Sequence, residues 1–133
     1  YDSKEGKLLQ EQACDKIYFL GLKKNVGDYL KNSDAFALSS LNEAMPITLI
    51  EALACGCIPL STPVSGSVDI IQNGKNGFLS KDFSVDSYIT MLKDFFKNHE
   101  NIDKKELEVY FENNLSMKKC AEKYYEFFKK CLK

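Results

Sequence analysis

The chain has 133 residues, enough for one domain that buries roughly two-thirds of its unfolded surface and too few for two ordinary domains. Its 44% hydrophobic and 28% charged residues, with a formal net charge of −1, exclude a disordered or collagenous chain and a broad polyanion-binding face. All 18 basic residues are lysine, so no guanidinium fork is available to read guanine or phosphate in a bidentate way, and nucleic acid is not an expected partner.

The chain begins at Tyr1 rather than Met and shows no secretory leader, which is what a piece of a longer chain would show. From Lys16 to Leu20 the run KIYFL reads as a strand that Gly21 ends. Asn25 to Asn32 is long enough only for a short helix, and Ala35 to Ser39 (AFALS) reads as the next strand. Pro46 fits the first position of a helix to Cys55, because its missing N–H costs nothing there, and Gly56 stands where a left-handed residue would close it. Cys57 to Ser61 (CIPLS) then predicts a buried strand and Ser67 to Gln72 a short helix. Asn73-Gly74 and Asn76-Gly77 mark turns around a small strand, Phe78-Leu79.

Ser84 can cap a helix to about Lys97, with Val85, Tyr88, Ile89, Leu92, Phe95 and Phe96 on its apolar face. Asn98 to Asn114 is polar and weakly patterned, predicting loop and short helix. Ser116 caps a last helix whose Met117, Cys120, Ala121, Tyr124, Phe128 and Cys131 share one face, read as core packing that needs a partner surface. Strands alternating with helices predict an α/β fold, a Rossmann-like parallel sheet with helices on both faces.

The charge-poor stretch Ala44 to Val68 is interrupted by Glu51, Gly56, Pro59, Pro63 and Gly66, so it cannot be the roughly 20-residue apolar span of a bilayer helix. Five cysteines, Cys14, Cys55, Cys57, Cys120 and Cys131, lack C-x-x-C spacing and read as reduced thiols of a cytoplasmic protein. His99 is the only histidine, which excludes a multi-histidine metal centre or a histidine-based triad within this stretch; no metal site is expected.

Glu51 is the only charged residue between Ala44 and Val68, on a helix that Ile47, Leu49, Ile50, Leu53 and Ala54 make apolar almost all round. Such a helix should be buried, with Thr48, Glu51 and Cys55 as its narrow polar stripe. A lone Glu on a helix is ordinarily a solvated face, but here the carboxylate should look into a cleft or meet a partner, because an unpaired buried charge is costly. Glu43, eight positions earlier, lies on the loop leaving the preceding strand, at the carboxyl end of the sheet where ligands gather. Between the two acids, the N–H groups at the helix start suit an anion such as diphosphate. Two hydroxyl-accepting carboxylates beside a phosphate cradle match a nucleotide-sugar.

The run Ser39-Ser40-Leu41-Asn42-Glu43-Ala44-Met45-Pro46-Ile47-Thr48-Leu49-Ile50-Glu51-Ala52-Leu53-Ala54-Cys55-Gly56-Cys57-Ile58-Pro59 closely resembles the E-x7-E signature of family 4 glycosyltransferases with its EA-x-A-x-G-x-P tail. Pro63 to Ile71, Asn73 to Leu79, Ile17 to Gly21 and Ser33 to Ser40 are similar to further blocks of that family's donor-binding half. The resemblance covers nearly the whole chain. It implies a retaining GT-B enzyme of which this is the C-terminal half: a donor domain over residues 1–115 and a terminal helix, 116–133, packing back toward an N-terminal acceptor domain upstream.

Carried over by position, Glu43 would lie against the transferred hexose as the catalytic-site acid. Glu51 would bond the ribose hydroxyls. Backbone N–H groups over Ala44, Met45, Pro46, Ile47 and Thr48, where Pro46 itself has none, would bracket the sugar and diphosphate, and backbone around Leu20, Gly21 and Leu22 would meet the base. The donor implied is a UDP- or GDP-sugar and the acceptor a glycan or lipid-linked glycan. The family transfers with retention, through an oxocarbenium-like state, and typically without a bound metal or other cofactor. Cytoplasmic location is implied, and the resemblance admits peripheral association of the full-length enzyme with the inner face of a membrane.

The sequence departs from the family pattern at Ala44, where Gly is common, at Ser65-Gly66-Ser67, which replaces a Gly pair, and at Asp69, where Glu is usual. The basic pair that neutralises the diphosphate lies upstream in the family, so this stretch alone is not expected to turn over; Lys23-Lys24 read as a solvated loop rather than substitutes. A GT-B epimerase or phosphorylase-like relative stays open, as does a non-enzymatic flavodoxin-like binding module.

Overall fold

The computed structural model describes residues 3–132. Three parallel strands, β1 (Ala35–Leu38), β2 (Ile58–Ser61) and β3 (Phe78–Leu79), lie in the order β1-β2-β3, with Phe36 opposite Pro59 and Leu60 opposite Phe78. The helices are α1 (Lys4–Gln12), α2 (Val26–Lys31), α3 (Ile47–Ala54), α4 (Ser65–Ile70), α5 (Val85–Asn98), α6 (Lys104–Asn114) and α7 (Met117–Cys131). Parallel neighbours need crossovers, and α3 between β1 and β2 and α4 between β2 and β3 supply them. The expected α/β parallel sheet with helices is the observed architecture.

Residues in register share a face. Ile58, Leu60 and Phe78 belong to the main core with Leu49 and Leu53 of α3, Met91 and Phe95 of α5 and Leu107 of α6. Phe95 meets Phe78 edge-on, with centroids 5.9 Å apart. A second, smaller cluster joins Leu30 of α2, Ala52 of α3 and Cys57, and Phe36 packs against both clusters. β2 is buried at all four positions, as expected of the middle strand of a sheet covered on both sides.

Capping sets several helix ends. Ser84 and Ser116 accept from the backbone N–H groups of Ser87 and Lys119, starting α5 and α7 where the sequence predicts. Gly56 closes α3 at φ +66°, in the left-handed region the sequence assigns to it.

Five expectations are corrected. Lys16 to Leu20 forms no strand: Ile17, Tyr18 and Leu20 are exposed, and the run pairs with no strand among the described residues. An apolar run of this length needs a neighbouring ladder and a covering layer to become a buried strand, and the side chains of Ile17, Tyr18 and Leu20 stand exposed instead. Pro46 is the N-cap residue of α3 rather than its first helical residue, and α4 begins at Ser65, two residues earlier than expected. Residues 104–114 form one continuous helix, α6, because Asp103 accepts from the N–H of Lys105 and Leu107 is buried against the core. The apolar face of α7 is not in the core: no α7 residue is buried, and Met117, Tyr124, Tyr125, Phe127 and Phe128 are all exposed.

Among the described residues, no helix is long and apolar enough to cross a membrane. Helix α7 starts after Ser116 and touches α6.

Candidate functional site

The site is built at the carboxyl end of β1, where the chain leaves the sheet at Ser39 and enters α3 through Glu43, Ala44, Met45 and Pro46. Helix α3 is not buried all round. Leu49, Ala52 and Leu53 face the core, while Ile47, Thr48 and Glu51 are exposed. Packing against α2 and α6 covers two sides of α3 and leaves one stripe bare, so the cost of burying an unpaired carboxylate does not arise for Glu51. Glu51 makes no ion pair among the described residues.

The first turn of α3 has no side-chain cap. Leu49 N donates to Pro46 O at 3.1 Å, which leaves the N–H groups of Ile47 and Thr48 without a protein acceptor among the described residues. Ala44, Met45, Ile47 and Thr48 are exposed around them. These donors and the positive end of the helix dipole make a surface suited to an anion. Glu43 is partly buried and accepts from Ser40 Oγ at 3.0 Å. Glu51 is the fifth residue of α3, so it lies about 6 Å along the helix axis from Ile47 at 1.5 Å per residue. Along this stretch Ala44, Met45, Ile47, Thr48 and Glu51 are exposed and Glu43 is half-buried, whereas Pro46 is buried.

The loop at this surface is held from below. Thr62, one residue beyond β2, donates its N–H to Leu38 O at 3.1 Å and its hydroxyl to Ser40 O at 2.5 Å. Gly66 in α4 lies against the loop: an added Cβ there would sit 2.7 Å from Ala44 O and 2.7 Å from Met45 Cα. In the sequence Gly66 stands out as a break in the apolar stretch and as part of a departure from a Gly pair, not as a packing contact, and nothing there marks Ser40 and Thr62 as supports. The Thr62 to Ser40 bond spans 22 positions, which no local pattern reveals.

Leu20, Gly21 and Leu22 lie elsewhere, lining a cavity of about 460 Å³ together with Tyr29 of α2 and Ala35 and Phe36 of β1. Gly21 makes the turn there at φ +67°. Neither Glu43 nor Glu51 lines this cavity; α2, packed on α3 through Leu30 and Ala52, links the two places. Among the described residues no group of three or more His, Cys, Asp and Glu is arranged to hold a metal ion.

Comparison with known proteins gives this geometry a context. Over 108 residues the chain is 34% identical to the N-acetyl-alpha-D-glucosaminyl L-malate synthase of Bacillus anthracis, a match covering 78% of this chain and 28% of that protein. Over 77 residues it is 32% identical to the UDP-Gal:alpha-D-GlcNAc-diphosphoundecaprenol alpha-1,3-galactosyltransferase of Escherichia coli, covering 58% of this chain and 20% of that one. The chain therefore spans less than a third of the length of these relatives. Its fold is similar to the catalytic domain of starch synthase IV from Arabidopsis thaliana, solved with ADP and acarbose, with a TM-score of 0.67 and 20% identity over 95% of this chain and 28% of that one. That likeness identifies the sheet and its helices as part of a GT-B fold. The family model described as glycosyl transferases group 1 matches residues 2–130, nearly every residue that builds the sheet, the α3 surface and the terminal helix, and the chain belongs to that family.

Proposed function

We propose that this chain is the donor-binding part of a retaining glycosyltransferase that moves a hexose from a nucleotide-sugar to a glycan or lipid-linked acceptor. The observation that carries the reading is the pairing of two acids with one uncapped helix start: in sequence, Glu43 before α3 and Glu51 within it flank the N–H groups of Ile47 and Thr48, which have no acceptor among the described residues. In this arrangement Glu43 accepts from hydroxyls of the transferred hexose and Glu51 from the ribose. The N–H groups at the start of α3 hold the diphosphate and stabilise the charge that grows on it as it leaves. Backbone at Leu20, Gly21 and Leu22 borders the base, in a cavity between β1 and α2.

The relatives support the substrate class. The Escherichia coli relative is named for a UDP-sugar donor and a lipid diphosphate acceptor, and the starch synthase was solved with a nucleoside diphosphate. The reading places the activity in the cytoplasm, in a longer chain whose other half supplies the acceptor site. The exposed apolar face of α7 then packs toward that half. Neither Glu43 nor Glu51 is neutralised by a lysine among the described residues, which counts against a purely structural pair of acids in a flavodoxin-like module.

The test is a thermal-shift and calorimetric panel of UDP, GDP and ADP with their hexose conjugates on the full-length protein. One base series should raise the melting temperature, and Glu51→Ala should abolish the shift. No shift with any member of the panel contradicts the proposal. Product analysis then separates transfer with retention from epimerisation or phosphorolysis.

A further inference from the structure

We infer that Ser40 is a positioning residue for the Glu43 carboxylate, anchored to the sheet by Thr62; the inference rests on the proposed role of Glu43 at the hexose. Ser40 lies two residues beyond β1, outside the strand ladder, where a loop residue would ordinarily be free to move. Two bonds from Thr62 remove that freedom. Its N–H continues the β1–β2 pairing at Leu38 O, and its hydroxyl holds Ser40 O.

Thr62 is itself fixed. It is 3% exposed, and its carbonyl accepts from Ser61 Oγ at 2.8 Å and from Ser67 Oγ at 2.7 Å, two hydroxyls on residues with no exposed surface. A buried hydroxyl network that is fully satisfied is rigid, and no buried side-chain polar atom lacks a partner among the described residues. Rigidity therefore passes from β2 through Thr62 to the Ser40 backbone, and from the Ser40 hydroxyl to Glu43 Oε1 at 3.0 Å.

The chemistry of this bond suits a ligand-binding acid. A carboxylate only accepts, and the Ser40 hydroxyl engages Oε1 while leaving Oε2 without a protein donor among the described residues. A free glutamate side chain samples many rotamers, and fixing one before the ligand arrives removes that ordering cost from the binding step. Gly66 closes the other side: with Ala44 O and Met45 Cα where its side chain would be, the loop after Glu43 has one path.

The test is a calorimetric double-mutant cycle on the full-length protein, with Ser40→Ala, Glu43→Ala, the double variant and Ser40→Thr. Each is titrated with a nucleoside diphosphate and with its hexose conjugate: UDP and UDP-glucose, GDP and GDP-mannose, or ADP and ADP-glucose, whichever pair binds tightest. Glu43→Ala should weaken the conjugate and leave the bare nucleotide unchanged. Ser40→Ala should weaken the conjugate by about tenfold or more, the scale of one hydrogen bond to a charged group, with the nucleotide unchanged. Ser40→Thr should restore the conjugate, and the double variant should match Glu43→Ala alone.

A general disturbance of the loop would weaken nucleotide and conjugate together, and that result overturns the inference. So does a Ser40→Ala penalty that adds in full to Glu43→Ala, in which case the role of Glu43 stands and only its anchoring fails. Unchanged conjugate binding by Glu43→Ala overturns the site reading, and the inference with it.

Discussion

An added Cβ at Gly66 would lie 2.7 Å from Met45 Cα, so α4 and the loop entering α3 meet backbone to backbone with no room for a side chain. Gly66→Ala must push that loop away from the sheet. The expected cost is about 1–3 kcal/mol of stability, the range for overpacking a close contact, together with loss of nucleotide-sugar binding. Gly27, in α2 with nothing within 4 Å of its added Cβ, is the matched control. Gly27→Ala should stabilise by up to about 1 kcal/mol through helix propensity alone. Chemical denaturation of both variants checks the pair; equal effects would contradict the close approach.

Stability should follow burial rather than visible charge pairs where α6 meets the core. Leu107 is 1% exposed inside the core, whereas the ion pair of Lys104 with Asp34, at 3.0 Å, joins two exposed side chains. Leu107→Ala is expected to cost about 2–5 kcal/mol. Asp34→Asn should cost less than about 1 kcal/mol and become indistinguishable from wild type at high salt. Urea unfolding at low and high ionic strength measures both.

Which of these features a reader of the sequence could see depended on how local their causes are. The caps at Ser84 and Ser116 and the left-handed Gly56 are properties of three or four adjacent residues, and they stand where expected. The sequence predicts loop and short helix over Asn98 to Asn114, and the full extent of α6 is harder to see although Asp103 with Glu106 three residues later is a local start signal; the polar surface of the segment hides the Leu107, Tyr110 and Phe111 stripe. The run from Lys16 to Leu20 misled because apolar content predicts a strand only where a neighbour covers it. At the site, Glu43 and Glu51 stand out by isolation in an apolar stretch. Ser40, Thr62 and Gly66 do not, because their partnership is made by the crossover from β1 to β2 and α4.

Cys57 offers a pH test of the joint between α3 and β2. Burial, opposed by Lys104, pushes its thiol up to about 11 from an ordinary 9.0. In the unfolded chain the thiol ionises at the lower value, so the stability gained by keeping it neutral is complete below 9.0 and is lost as pH rises toward about 11. Stability of the wild type should therefore fall more steeply across that window than that of Cys57→Ala. Parallel slopes would contradict the buried neutral thiol. Exposed Cys14, Cys120 and Cys131 should react with a maleimide in the folded protein while Cys57 reacts only on unfolding.

The apolar face of α7 carries no part of the core, so charges placed on it should leave the fold intact. Tyr124→Glu with Phe128→Glu is expected to change the melting temperature of the 133-residue chain by no more than a few degrees, while lowering its binding of a hydrophobic dye and its self-association. A loss of cooperative unfolding in this variant would show that the face is packed.

The most direct measurement of the central claim is a cycle between Glu51 and the ribose hydroxyls. Wild type and Glu51→Ala are titrated with the nucleoside diphosphate that binds tightest and with its 2′,3′-dideoxy analogue. Removing the carboxylate or the hydroxyls should each cost roughly tenfold or more in affinity, and removing both should cost no more than either alone. Wild-type affinity in Glu51→Ala, or two penalties that add in full, would contradict the account.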